Sequence, residues 1–98
     1  MLISYLAGKG IKARLKLPND IYVGDLKICG ILIENILDGP NLGVSIIGIG
    51  LDVNQTDFPE DLPNPVSMAQ LTGQTYNLQE ELALLIANMQ SSLSDLLP

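Results

Sequence analysis

From Ile11 to Lys16 the chain alternates without a break, with Ile11, Ala13 and Leu15 on one side and Lys12, Arg14 and Lys16 on the other. That period predicts a strand with one dry and one wet face. Before it, the apolar stretch Leu2–Ala7 runs into Gly8-Lys9-Gly10, the pattern of a helix closed by glycine and expected to begin before residue 1. After it, Leu17-Pro18-Asn19-Asp20 predicts a turn, because proline lacks a donor and restricts its predecessor while Asn and Asp bond to nearby backbone. Ile21–Val23 is a short β-prone run, Gly24-Asp25 a tight turn, and Leu26–Leu37 a long second run, which together read as a hairpin. Both faces of that long run are mostly apolar, so it is expected to be a central strand covered on both sides.

Asp38-Gly39-Pro40-Asn41 turns the chain back into Leu42–Val53. On this strand the even positions are Val44, Ile46, Gly48, Gly50, Asp52 and Asn54, so one face loses its side chains at 48 and 50 and then becomes polar. Glycine inside a strand marks a bulge, a tightly packed neighbour or a ligand approaching the backbone. An acidic, proline-bearing loop follows over 55–65. Ser67-x-x-Gln70 is a capping box for a short helix ended by Gly73, and Asn77-x-x-Glu80 opens a second helix reaching about Leu93. Its stripe of Leu78, Leu82, Leu85, Ile86, Met89 and Leu93 is expected to lie in the core.

Composition narrows the chemistry. At 98 residues the chain forms one domain at most. Net charge is −6, and the five basic residues (Lys9, Lys12, Arg14, Lys16, Lys27) all precede position 28, so no extended basic face is available for nucleic acid. Lys9, Lys12 and Arg14 read as a solvated face, whereas Lys27, at a strand start beside a proline turn, reads as an anion binder. Histidine is absent, which excludes a histidine-based triad and histidine metal ligands. Cys29 lies in an apolar strand pattern with no partner and reads as a buried structural thiol. No apolar run reaches the roughly 18 residues of a membrane span, and the expected location is cytoplasmic.

Three stretches in register carry a resemblance: Lys16-Leu17-Pro18-Asn19-Asp20, then Lys27-Ile28-Cys29-Gly30-Ile31-Leu32-Ile33-Glu34, then Gly48-Ile49-Gly50-Leu51-Asp52-Val53-Asn54. The pattern resembles the catalytic domain of biotin protein ligases, and it continues through Phe58–Leu62 and Ser67–Gly73. The resemblance implies an α/β chain of α+β type, with a mixed sheet of hairpin strands and C-terminal helices. It implies activation of biotin by ATP to biotinyl-5′-AMP, with Mg²⁺, and transfer to a lysine of a biotin carboxyl carrier protein. On that basis Lys27 would contact the biotin carboxylate and the α-phosphate. Gly30, Ile31, Leu32, Gly48 and Gly50 would line biotin, Asn19, Asp20, Asp52 and Asn54 the nucleotide, and Asp20 would hold Mg²⁺. Two positions depart from the family: Asp52 stands where Asn is usual, and Leu17 where Trp is usual. A glycine- and arginine-rich phosphate loop precedes the first motif in the family, so residues 1–98 are expected to be a C-terminal part of the domain, inactive alone and self-associating through open sheet edges. A lipoate or octanoate ligase of the same superfamily and a vestigial, non-catalytic module are the rival readings.

Overall fold

The computed structural model describes residues 1–96, and its elements follow the predicted order. Helix α1 spans Leu2–Gly8, strands β1 to β4 span Arg14–Lys16, Asp20–Val23, Leu26–Asp38 and Asn41–Leu51, and helices α2 and α3 span Met68–Thr72 and Leu78–Leu96. The strands form one four-stranded sheet in the order β1-β2-β3-β4, and every strand pair is antiparallel. The mixed sheet expected from the sequence is therefore corrected to an antiparallel one. Its only parallel pairing among the described residues is the isolated bridge between Lys27 and Pro65. Successive antiparallel strands are joined by turns of a few residues, as hairpin connections allow.

The caps form as the sequence predicts. Ser67 and Gln70 make both bonds of the capping box, and Gly73 closes α2 in the left-handed region at φ 74°. The Asn77 side chain accepts from the Glu80 backbone N–H at 3.0 Å. The strand predicted over 11–16 is shorter, Arg14–Lys16, because Ile11 turns in to join the core and its N–H closes the end of α1 on Leu6 O at 2.9 Å.

The core gathers at one end of the sheet. Leu2, Tyr5 and Leu6 from α1 meet Ile21 of β2, Ile28 and Cys29 of β3, and Val66 and Met68 ahead of and within α2. The far halves of β3 and β4 extend beyond this core, with Leu32 61%, Leu37 68% and Ile47 58% exposed. β3 is interior to the sheet, but its outer half is not covered on both faces as its apolar pattern implied. The α3 stripe is corrected in the same way: Leu78 is 60% and Leu82 57% exposed. The reason is geometric. α3 packs on α1 and stands off β4, leaving an apolar cleft of about 280 Å³ between Ile47, Ile49 and Leu51 on one wall and Leu82, Leu85 and Met89 on the other.

α1 is clasped to α3 by a polar cluster. The Tyr5 hydroxyl donates to Glu81 Oε1 at 2.8 Å, and Lys9 Nζ donates to Glu81 Oε2 at 3.0 Å. The same ammonium lies 5.8 Å from the Tyr5 ring centre and 5.2 Å from that of Tyr76. Lys9 is therefore not the solvated residue its place in the basic cluster suggested, and Glu81 is buried rather than merely lying in the first turn of α3. Burial and the neighbouring Glu81 push the Tyr5 phenol up, so it remains a proton donor.

Removing Glu81 leaves Lys9 without its carboxylate and Tyr5 without its acceptor. Glu81→Ala should lower unfolding stability by about 2 kcal/mol in urea denaturation. A loss below about 0.5 kcal/mol would show that the clasp does not hold α3.

Candidate functional site

The open face of the sheet carries the site. Antiparallel register places Asp20 opposite Gly30, Gly30 opposite Gly50, and Leu32 opposite Gly48. Side chains alternate along a strand, so Gly48 and Gly50 face away from α1 and α3 while Ile47, Ile49 and Leu51 face them. The glycines are not there to admit a helix. A methyl group at Gly50 would meet nothing nearer than Gly30 O at 3.8 Å, and one at Gly48 only Leu32, also at 3.8 Å. A groove of about 480 Å³ lies over them, lined by Asp20, Lys27, Gly30, Leu32, Gly48 and Gly50.

Lys27 reaches this groove because of a break in the β2–β3 register. Ile21 pairs with Cys29 but Tyr22 pairs with Lys27, so one extra residue, Ile28, is inserted on β3. Such a bulge bends the strand and re-aims a side chain. The freed main chain of Lys27 finds new partners in the loop: its N–H donates to Asn64 O at 2.8 Å, and its carbonyl accepts from Val66 N–H at 2.9 Å. Asn64 adopts φ 50° to make this approach. Nothing in the proline-bearing loop pattern had signalled a segment pairing with β3.

The Lys27 ammonium sits 3.3 Å from Asp20 Oδ1, with both side chains partly exposed. It also lines a second cavity of about 280 Å³, formed with Cys29, Asp52, Leu62, Pro63 and Pro65. Lys27, Gly30 and Gly50 are therefore shared by two adjoining cavities, and Lys27 is the one charged side chain on both. Burial raises the Asp52 carboxyl above its usual range, and the charge of Lys27 partly offsets this. Burial, together with Asp52, pushes the Cys29 thiol up to about 11, so it stays protonated and unreactive. Cys29 is buried, as its strand pattern implied.

The remaining sequence candidates separate. Ile31 lies at the groove edge, and its N–H donates to Asn19 O at 2.9 Å, so Asn19 is tied in through its backbone. Asn54 lines neither cavity. Its amide donates to Tyr76 O at 2.7 Å and its side-chain oxygen accepts from Tyr76 N–H at 2.9 Å, which uses both ends of the carboxamide to fix the approach to α3. For a divalent cation, no cluster of three carboxylate, cysteine or histidine side chains exists among the described residues. Asp20, partly exposed on the groove, suits an ion such as Mg²⁺, which takes one or two carboxylates and fills its shell with water and phosphate.

Comparison with known proteins follows the same residues. Residues 4–54 match the Biotin/lipoate A/B protein ligase family. The chain is 39% identical over 71 residues to the bifunctional ligase/repressor BirA of Bacillus spizizenii, covering 69% of this chain and 22% of that protein. It is 32% identical over 84 residues to the biotin–[acetyl-CoA-carboxylase] ligase of Paracoccus denitrificans, covering 80% of this chain and 34% of that one. The fold matches the crystal structure of biotin protein ligase from Aquifex aeolicus with a TM-score of 0.75 and 30% identity, over 94% of this chain and 41% of that chain. The same enzyme in complex with biotin and ATP matches with a TM-score of 0.74 and 30% identity, over 93% of this chain and 38% of that chain. The chain thus spans between about a fifth and two fifths of the length of these relatives. It belongs to the biotin/lipoate A/B protein ligase family.

Proposed function

We propose that this chain supplies the biotin floor and the anion-binding lysine, Lys27, of an enzyme that activates biotin with ATP and passes it to a lysine of a biotin carboxyl carrier protein. The observation that carries this reading is that Lys27 is the one charged side chain shared by two adjoining cavities, one carrying Asp20 and Gly48 and the other walled by Asp52 and the 62–65 loop. Adenylate formation joins a carboxylate to an α-phosphate, so two anions must share a cation at the point where the cavities meet. A lysine suits this, because its compact charge and three donors can follow the carboxylate into the mixed anhydride. Gly30, Gly48 and Gly50 would let the ring system of biotin approach the backbone closely, with Ile31 and Leu32 at its side. Asn19, Asp20, Asp52 and Asn54 form the nucleotide side, with Asn54 acting through the chain segment it fixes. Asp20 would hold Mg²⁺, which would offset phosphate charge when bound. A cytoplasmic location fits a substrate pair of this kind.

Taken alone, the 98 residues do not transfer biotin in this reading. The groove over the glycines is open to water, which would hydrolyse an anhydride, and the preorganised donors that stabilise phosphate charge are few. The unpaired edge of β4 and the exposed apolar residues of the β3–β4 arm would draw copies of the chain together. Mixing with the preceding part of the domain should restore transfer.

Four measurements check the assignment. Thermal shift should show a larger rise in Tm with biotinyl-AMP than with lipoyl-AMP, and the reverse order would favour the lipoate reading. In the complete enzyme, Lys27→Ala should weaken biotinyl-AMP binding by about 1.5–3 kcal/mol with little loss of stability, and Asp52→Asn should tighten ATP binding by restoring a donor and removing a negative charge. Unchanged affinity in the Lys27 variant would reduce Lys27 to a surface residue. Gly50→Ala should fold as stably as the parent, since the added methyl meets nothing inside 3.8 Å, yet raise the KM for biotin about tenfold or more by occupying the floor. A stable variant with unchanged KM would remove the glycines from the site.

A further inference from the structure

We infer that Asp52 turns the cavity it walls toward guanine, so that GTP serves beside ATP as the nucleotide that activates the carboxylate. The inference rests on the adenylate-forming reading proposed above and concerns the base alone. Asp52 follows β4 directly and is half-buried. Its cavity has a volume of about 280 Å³, near the lower bound for small-molecule sites, roughly 300 Å³. That is room for a flat ring system rather than for a whole nucleotide. Leu62, Pro63 and Pro65 make one side apolar, and Gly30 and Gly50 offer bare backbone on the other. Apolar walls discriminate weakly between rings of similar shape.

Selection then falls to polar groups, and the main chain here is already committed. Lys27 N–H and C=O are bonded to Asn64 and Val66, and Asp52 N–H and C=O to Ile28 and Met68. The Cys29 thiol donates to Gly30 O at 3.6 Å, and the Lys27 ammonium is held at Asp20. The Asp52 carboxylate, by contrast, takes part in no salt bridge and accepts no hydrogen bond among the described residues. Burial raises this carboxyl above its usual range, with the charge of Lys27 opposing the rise. A pair of N–H donors would relieve that desolvation.

An ionised carboxylate only accepts, through two oxygens side by side. Guanine sets its N1–H next to its N2 amino group, two adjacent donors that meet both oxygens in a charge-assisted pair. Adenine sets its N6 amino group beside an acceptor, N1 on one edge and N7 on the other. One carboxylate oxygen would bond there and the other would face a lone pair. An Asn amide, with a donor beside an acceptor, reverses this preference. The chemical step is the same for either purine. A biotin carboxylate oxygen bonds to the α-phosphorus of GTP, the bond from that phosphorus to the bridging oxygen breaks, and pyrophosphate leaves with the electron pair. The product is the mixed anhydride of biotin and GMP.

The test uses the full-length ligase with ATP, GTP and ITP, whose base keeps N1–H but lacks the N2 amino group. Titration calorimetry gives nucleotide affinity, and biotin-dependent pyrophosphate release gives kcat/KM. In the parent, GTP should support release with kcat/KM within about tenfold of ATP, and ITP should bind about threefold or more weaker than GTP. Asp52→Asn should lower the GTP-to-ATP ratio of kcat/KM about tenfold or more, through looser GTP and tighter ATP. ITP binding as tightly as GTP in the parent would overturn the inference, and that comparison needs no variant to fold. Release with ATP but none with GTP would overturn it too, as would a GTP-to-ATP ratio unchanged in the variant, and both would leave the biotin-activating reading intact. Affinities that shift with Asp52 while neither nucleotide gives biotin-dependent release would leave the guanine contact standing and sink the biotin-activating reading instead.

Discussion

The main chain of Lys27 is gripped from both sides by the loop that precedes α2, through Asn64 O and Val66 N–H, and the site depends on that grip. A bulge that frees a backbone N–H and C=O in a partly buried position must find them new partners, since an unpaired buried group costs about 1–3 kcal/mol. The loop supplies those partners, and the same segment continues into the sheet end, where Met68 and Ala69 N–H groups donate to Asp52 and Val53 carbonyls. One continuous run of backbone bonds thus ties the base of Lys27 to the wall that carries Asp52. Were the loop to detach, Lys27 would lose its aim and the second cavity would lose Leu62, Pro63 and Pro65 together.

The two faces of the sheet then divide the work. One face takes α1 and the Tyr5–Lys9–Glu81 clasp, and it carries the core. The other is left open over Gly48 and Gly50, while the Lys27 side chain lies over Gly30. Charge is divided in parallel. Lys27 and the β1 cations lie on the bare face, with Asp20 set between them, and the acidic loop follows the sheet. At the groove the lysine is already paired with Asp20, so an arriving carboxylate must compete with it, and a cation drawing Asp20 away would favour that exchange.

The legible part of the fold was local. Alternation marked the strands, turn residues marked the hairpins, and Ser67, Gly73 and Asn77 marked the helix ends, because each signal is written within a few residues. The bare glycine face was also visible in the spacing of Gly48 and Gly50. What failed depended on partners distant in sequence. The α3 stripe looked like core, yet a stripe states only that a face is apolar, and α3 found α1 while standing clear of β4. Lys9 looked solvated because its partners Glu81 and Tyr76 lie far along the chain. The pairing of the 64–66 segment with Lys27 was hidden among prolines, which ordinarily argue against strand-like pairing. Asn54, which the family motif places with the nucleotide, makes side-chain hydrogen bonds to the Tyr76 backbone that no local pattern signalled.

The central claim is that Lys27 joins two adjoining half-sites across one sheet face. A crystal structure of the complete ligase with biotinyl-AMP tests it most directly. The Lys27 ammonium should lie within hydrogen-bonding distance, about 3 Å, of both the acyl carbonyl and the phosphate, released from Asp20, with the biotin rings over Gly30, Gly48 and Gly50 and the nucleotide beside Asp52. An adenylate bound elsewhere on the sheet, or a Lys27 still paired with Asp20 in the complex, would contradict it.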